Sequence, residues 1–163
     1  MKKILSIKEA IKIAEEMRGK NKTIVVAGGF FDILHLGHIK FLENSKKYGD
    51  YLFVLLEDNI KAKEKDKNRP INSQKYRASV LSSLENVSYI VLLKKMTKDT
   101  QYDKLITQIA PSVIATTYGD PYVKHKKRQA KLVNGKVAYT IKRINKYSTT
   151  KLVKLLNNKS NKI

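Results

Sequence analysis

Short apolar runs recur along this chain with helix-patterned sequence between them, and that alternation is the strongest constraint on its fold. The runs are TIVVAGG (23–29), YLFVLL (51–56), YIVLL (89–93), SVIATT (112–117) and KVAYTI (136–141). Runs of this length and composition read as buried strands. Between them lie helix signals. Ser6 and Glu9 form a capping box ahead of Ile7, Ala10, Ile11 and Ala14, predicting a helix over 6–17. LGHIKFLENSKKYGD repeats Leu36, Ile39 and Leu42 and stops at Gly49. Ser73 precedes Tyr76, Val80, Leu81 and Leu84, and further helices are expected over 100–109, 121–132 and from Ser148 onward. EDNIKAKEKDKNRP (57–70) is so charged that it reads as a mobile loop. Strands alternating with helices in this way imply an α/β fold, an open parallel five-stranded sheet with helices on both faces. Right-handed crossovers then leave only a few topologies.

A length of 163 residues suits one domain, expected over 1–157 with residues 1–22 as N-terminal helix and lead-in and 158–163 as a frayed tail. No apolar run approaches the length of a membrane span, and the lysine-led N-terminus mixes charge through an amphipathic pattern rather than forming a targeting core. Cysteine is absent, which excludes disulfides and thiolate-held metals and fits a cytoplasmic setting. The formal net charge of +20 is spread through the chain rather than blocked. It favours a lysine-rich composition over a nucleic-acid partner, because charge alone speaks to association and not to chemistry.

Parallel sheets bind ligands beyond the carboxyl ends of their strands, at the point where strand order reverses. The segment GGFFDILHLGH (28–38) sits there, after the first strand and before a helix. It holds two of the three histidines, His35 and His38, around Gly37. Gly37 lets the chain turn into the helix, whose first N–H groups and partial positive charge form an anion site. Two imidazoles there can donate to phosphate oxygens, and Gly28 and Gly29 leave room for a nucleotide. Taken alone, H-x-G-H also fits two idle loop histidines or half a metal site, although His125 lies far off in sequence.

GGFFDILHLGHIKFLENSKKYGDYLFVLLEDN resembles the signature region of the cytidylyltransferase-like nucleotidyltransferases. RPINSQKYRASVLSSLENVSYIV is similar to the family segment that follows the mobile loop, and YSTTKLVKLL resembles its C-terminal S-T-T helix start. The three motifs stand in order over nearly the whole chain. The resemblance is nearest to heptose 1-phosphate adenylyltransferase, with glycerol-3-phosphate cytidylyltransferase beside it, since Arg143 stands five residues ahead of Ser148 as in the latter.

The resemblance implies a Rossmann-like fold and a reaction in which a substrate phosphate attacks the α-phosphorus of an NTP and pyrophosphate leaves. ATP is favoured as donor and a sugar phosphate as acceptor. CTP with a polyol phosphate, and adenylyl transfer to FMN, are alternatives. A nucleic-acid-binding protein on a non-catalytic version of the fold is the alternative of another class. No general base is needed, because a phosphate monoester is already ionised at neutral pH, and catalysis reduces to positioning and charge stabilisation.

Roles follow from the same resemblance. His35 and His38 contact the triphosphate and stabilise the transition state. Lys46 serves a phosphate or the substrate, and Arg77 grips the β- or γ-phosphate. Gly28, Gly29, Phe30, Phe31, Gly37, Gly119, Asp120, Arg143, Ser148 and Thr149 surround the nucleotide. Asp32 positions the substrate or braces the loop, and Lys63 and Lys65 could close over the phosphates. Phe30 stands where relatives often carry Cys or Thr and Ser88 where they carry Asp, leaving room for altered substrate choice. Mg²⁺ is expected to arrive with the NTP rather than at a protein site. A homodimer is expected, and a membrane partner is not.

Overall fold

A computed structural model describes residues 2–65 and 70–142. Its elements run β1 (Ile4–Leu5), α1 (Ile7–Gly19), β2 (Ile24–Gly29), α2 (Leu36–Lys46), β3 (Tyr51–Leu56), α3 (Asn59–Lys65), α4 (Gln74–Ser82), β4 (Tyr89–Leu92), α5 (Asp99–Ile109), β5 (Val113–Tyr118), α6 (Val123–Leu132) and β6 (Lys136–Lys142). The strands form one sheet in the order β1-β4-β3-β2-β5-β6, and every neighbouring pair is parallel.

Among the described residues six strands stand where five were expected. The extra one, β1, is two residues long and pairs Ile4 with Ile90 and Leu5 with Val91. It carries too little pattern to be read from MKKILS. The second difference is α3, in the segment expected to be loop. Asp58 Oδ1 accepts the Lys61 N–H at 2.9 Å, an N-cap contact that starts a helix the dense charge had concealed. The expected helix from Ser148, with Arg143, Ser148 and Thr149, lies outside the described residues.

Strand alternation sorts the core into two layers. Ile24, Val26, Phe53, Leu55, Tyr89, Val91 and Ile114 pack against Ala10 and Ala14 of α1, Leu105, Ile106 and Ile109 of α5, and Ala130 of α6. Val25, Ala27, Leu52, Val54, Ile90, Val113 and Ala115 pack against Phe41 and Leu42 of α2 and Ala78 and Leu81 of α4. This division follows from handedness. The chain steps from β2 to β3 to β4 in one direction, then returns past both to β5 and β6, so right-handed crossovers put α2 and α4 on one face and α5 and α6 on the other. The order therefore reverses between β2 and β5, and a crevice opens at their carboxyl ends.

The opposite end of the sheet is closed by tight packing. Ser88 Oγ accepts the Leu52 N–H at 3.0 Å, so this departure from the family pattern lies at the amino ends of β3 and β4, away from the crevice. This position gives Ser88 a structural contact and no place in the crevice lining. Gly49 sits where a Cβ would lie 2.8 Å from the Thr23 and Val25 methyls and 2.9 Å from the Thr23 carbonyl. Gly49→Ala is therefore expected to lower stability by about 1–3 kcal/mol through overpacking, read from the urea midpoint. An unchanged midpoint would mean the α2–β3 turn yields freely.

Candidate active site

The segment after β2 is held by buried polar contacts from the α4 side. The Arg77 side chain is 2 % exposed. Its Nε donates to the Asn72 carbonyl at 3.1 Å, and one terminal nitrogen donates to the Phe30 carbonyl. The other donates to the Glu57 carbonyl at 3.0 Å and to Asn59 Oδ1 at 2.9 Å. Asp32, 7 % exposed, accepts the backbone N–H groups of Ile71 and Asn72, each at 3.0 Å, and Asn72 Nδ2 donates back to the Asp32 carbonyl at 2.9 Å. Gln74 bridges the carbonyls of Leu56 and Leu93 at 2.9 and 2.8 Å. Burial pushes the Arg77 guanidinium down from its ordinary pKa, opposed by Asp32, Asp58 and Glu57, and an arginine remains cationic throughout.

Two expectations change here. Arg77 was expected to grip a phosphate, but its donors are directed at carbonyls and it acts as a brace. For Asp32, the geometry selects bracing of the loop over positioning of the substrate.

The braced loop delivers two histidines to the start of α2. Phe31 takes a left-handed φ of 48°, a strained backbone for a large side chain. It is held there by packing, since a Cβ on Gly29 would lie 2.8 Å from the Phe31 ring. The Phe31 ring meets His38 edge-on at 5.1 Å, and His38 stacks on His35 with ring centroids 3.8 Å apart. His35 is the N-cap residue of α2, with extended backbone and no side-chain cap. Its carbonyl accepts the N–H groups of His38 and Ile39, while helix geometry leaves those of Leu36 and Gly37 without intrahelical acceptors.

Burial lowers the His38 pKa to about 4, helped by the neighbouring His35 and opposed by a hydrogen bond to the Ile33 carbonyl. Burial lowers His35 as well. Both Nδ1 atoms are buried without a hydrogen-bond partner among the described residues. At neutral pH the pair is uncharged, and it sits at a helix N-terminus suited to an anion.

Lys46 does not join this group. It ends α2, about 15 Å along the helix from Leu36 at 1.5 Å per residue, and its ammonium donates to the Gly49 carbonyl at 3.2 Å. The expected phosphate or substrate role of Lys46 is not met by this placement. Lys63 is exposed on α3 and the Lys65 side chain lies outside the described residues.

On the other face of the sheet the crevice widens into a cavity of about 340 Å³. Val26, Leu55, Leu93, Ile106 and Ile114 make an apolar floor, and Gly28, Gly29 and Phe30 form its edge. A Cβ on Gly28 would meet only the Leu55 carbonyl, at 4.0 Å, so neighbouring protein does not require glycine there. On one wall Tyr102 Oη lies 3.0 Å from both Glu57 carboxylate oxygens, and the Lys61 ammonium donates to the same hydroxyl. Burial, with Glu57 beside it, pushes the Tyr102 phenol up.

On the facing wall Asp120 accepts from Thr116 Oγ1 at 2.6 Å, Lys126 Nζ at 2.7 Å and the Tyr122 N–H at 2.8 Å. Burial raises the Asp120 carboxyl, but these three donors outweigh it and hold the group below its ordinary value. Gly119, with a φ of 78°, supplies the left-handed turn before Asp120. His125 Nδ1 lies 3.0 Å from Asp99 at the rim. The sequence reading singled out Asp120 but missed Glu57, Lys61, Tyr102 and Lys126. Glu57 had a signal, being the first residue past a buried strand at its carboxyl end.

Two measurements check this geometry. Arg77→Met leaves carbonyls and carboxylates without their cation and is expected to lower stability by about 3–5 kcal/mol, read by urea denaturation. A loss below 1 kcal/mol would mean that the loop holds without its brace. The His38 shift has a defined sign. As pH falls, the unfolded chain protonates near the ordinary 6.5 before the folded protein does near 4. The stability this group contributes is fully present above pH 6.5 and is lost toward pH 4, on the order of 3 kcal/mol. Subtracting the pH profile of His38→Asn should isolate that loss, and parallel profiles would contradict the burial of the ring.

With this geometry in place, comparison with known proteins assigns the family. Residues 26–155 match the family model described as cytidylyltransferase-like. Among curated proteins, the bifunctional protein HldE of Aliarcobacter butzleri is 38% identical over 152 residues, covering 86% of this chain and 31% of the relative. HldE of Coxiella burnetii is 34% identical over 165 residues, covering 94% of this chain and 32% of the relative. The chain thus spans about a third of the length of these relatives. A lipopolysaccharide core biosynthesis protein from Thermoplasma volcanium superposes with a TM-score of 0.57 at 30% identity, over 78% of this chain and 99% of that one. The pantoate-beta-alanine ligase of Francisella tularensis shares the fold at a TM-score of 0.68 and 18% identity, over 97% of this chain and 77% of that one. The chain belongs to the cytidylyltransferase-like family of nucleotidyltransferases.

Proposed function

We propose that this protein transfers a nucleotidyl group from an NTP, ATP by preference, to the phosphate of a phosphorylated sugar. An oxygen of the acceptor phosphate forms a bond to the α-phosphorus. The bond from that phosphorus to the bridging oxygen breaks, and pyrophosphate leaves with the electron pair. The observation that carries this reading is the uncapped N-terminus of α2, with stacked His35 and His38 at the carboxyl end of β2. Free N–H groups and neutral imidazoles can receive the triphosphate there and stabilise charge that moves onto the leaving oxygen.

The acceptor arrives ionised, so no side chain need remove a proton. Among the described residues no group of three His, Asp or Glu side chains could hold a metal ion. Mg²⁺ would come with the NTP, carried by its phosphates and water. The choice of a sugar phosphate draws on the sequence resemblance to heptose 1-phosphate adenylyltransferase and on the HldE relatives.

Pyrophosphate release is measured with each of the four NTPs against sugar phosphates, glycerol 3-phosphate and FMN. ATP with a sugar phosphate is expected to give the fastest turnover. CTP with glycerol 3-phosphate leading would move the assignment to a cytidylyltransferase. No release with any pair, beside steeply salt-dependent RNA binding, would replace the enzyme with a nucleic-acid-binding protein. In the active pair, His38→Ala is expected to lower kcat about 100-fold with folded structure retained by circular dichroism. Undiminished turnover would place the chemistry elsewhere.

A further inference from the structure

The cavity between α5 and α6 lies across the sheet from the stacked histidines, and its chemistry differs from what phosphates need. Glu57, Asp99 and Asp120 face it against the two ammonium groups of Lys61 and Lys126, so its fixed charges do not favour a polyanion. The cations are also already engaged, Lys61 with Glu57 and Tyr102 and Lys126 with Asp120. What these pairs offer is a dense mixture of donors and acceptors above an apolar floor.

A sugar ring matches that mixture. Each hydroxyl both donates and accepts, and the C–H face of the ring can lie on apolar side chains. The flat ring of a nucleobase or a flavin carries no hydroxyl, and a nucleoside or FMN bears its hydroxyls on a ribose or ribityl group set apart from that ring. The cavity and the α2 N-terminus lie on opposite faces of the sheet and share the edge formed by Gly28, Gly29 and Phe30. A molecule seated in the cavity with its phosphate directed over that edge would meet an NTP held at α2. The absent side chain of Gly28, which neighbouring protein does not require, keeps this passage open.

We infer that the α3 and α5 side of this cavity, facing the Asp120 wall, is the acceptor subsite, and that Glu57, Lys61 and Tyr102 form the wall that reads sugar hydroxyls and sets acceptor specificity. The inference rests on the proposed transfer to a sugar phosphate. Tyr102 contributes through its hydroxyl, shared between the Glu57 carboxylate and the Lys61 ammonium. A site built to hydrogen-bond a hydroxyl discriminates strongly against an analogue lacking it.

The experiment uses the full chain with ATP and the best sugar phosphate of the panel. Tyr102→Phe and Glu57→Gln are each expected to raise the acceptor KM about 10-fold or more while the ATP KM moves less than 2-fold. Monodeoxy analogues of the acceptor supply a second readout that loss of packing would not move. One deoxy position should weaken wild type strongly and leave Tyr102→Phe with no further loss. A raised ATP KM with an unchanged acceptor KM would assign the cavity to the nucleoside and overturn the inference. Equal losses for every deoxy analogue in both proteins would reduce Tyr102 to a structural role and also overturn it.

If turnover requires glycerol 3-phosphate or FMN instead, the sugar assignment fails together with the hydroxyl-reading wall. The cavity would stand as acceptor subsite only if these variants shift that acceptor's KM. If no pair turns over, calorimetric titration with glucose 1-phosphate, mannose 1-phosphate and heptose 1-phosphate decides. Binding weakened by Tyr102→Phe retains the inference, and absence of binding removes it.

Discussion

One buried guanidinium holds the active end of this sheet together. Arg77 reaches from the first turns of α4 to carbonyls of Phe30, Glu57 and Asn72, which belong to three separate stretches of chain. Two of them are the segments leaving β2 and β3, so the cation fixes the spacing of neighbouring strand ends beside the crevice. Backbone carbonyls in a loop have no ladder partners, and burying them without donors would be costly. A planar fork with five donors can satisfy several at once, which an ammonium on a flexible stem cannot. Asp32 completes the arrangement from the opposite side by accepting two backbone N–H groups of the segment before α4. The strained Phe31 backbone and the stacked histidines stand on this support.

Burial then determines the chemistry of the histidines. Packed against Phe31 and each other, they are held neutral, and a neutral imidazole donates without contributing a fixed charge. An anion placed here would be drawn by the helix terminus and by N–H groups rather than by an ion pair.

Much of this was legible in the sequence, because the signals were local. Buried parallel strands read as continuous apolar runs, and H-x-G-H after such a run points to the carboxyl end of the sheet, where α2 begins. The parts that were not legible depend on contacts across long sequence separations. Arg77 in a helix opening is equally compatible with a phosphate and with three carbonyls. Only the fold shows that Phe30 and Glu57 arrive beside it. Lys46 carried a suitable charge, but its position ten residues along α2 puts the length of the helix between it and the histidines. Glu57 and Tyr102 lie 45 residues apart and become a pair only when β3 and α5 meet at the crevice. β1 escaped notice because two residues cannot display a period, and α3 because a single capping aspartate was hidden among lysines.

The division of the sheet into two faces has a consequence for how such a protein can diversify. The loop and helix bearing the histidines lie on one side, while the cavity has a floor from the central strands and polar walls that come mainly from α3, α5, α6 and the ends of β3 and β5. With the acceptor in that cavity, as inferred above, substitutions in the second group would change the guest while leaving the histidine-bearing loop in place. The arrangement separates the histidine-bearing loop from most of the cavity wall. The narrow glycine edge between them is the place where a change would be felt by both.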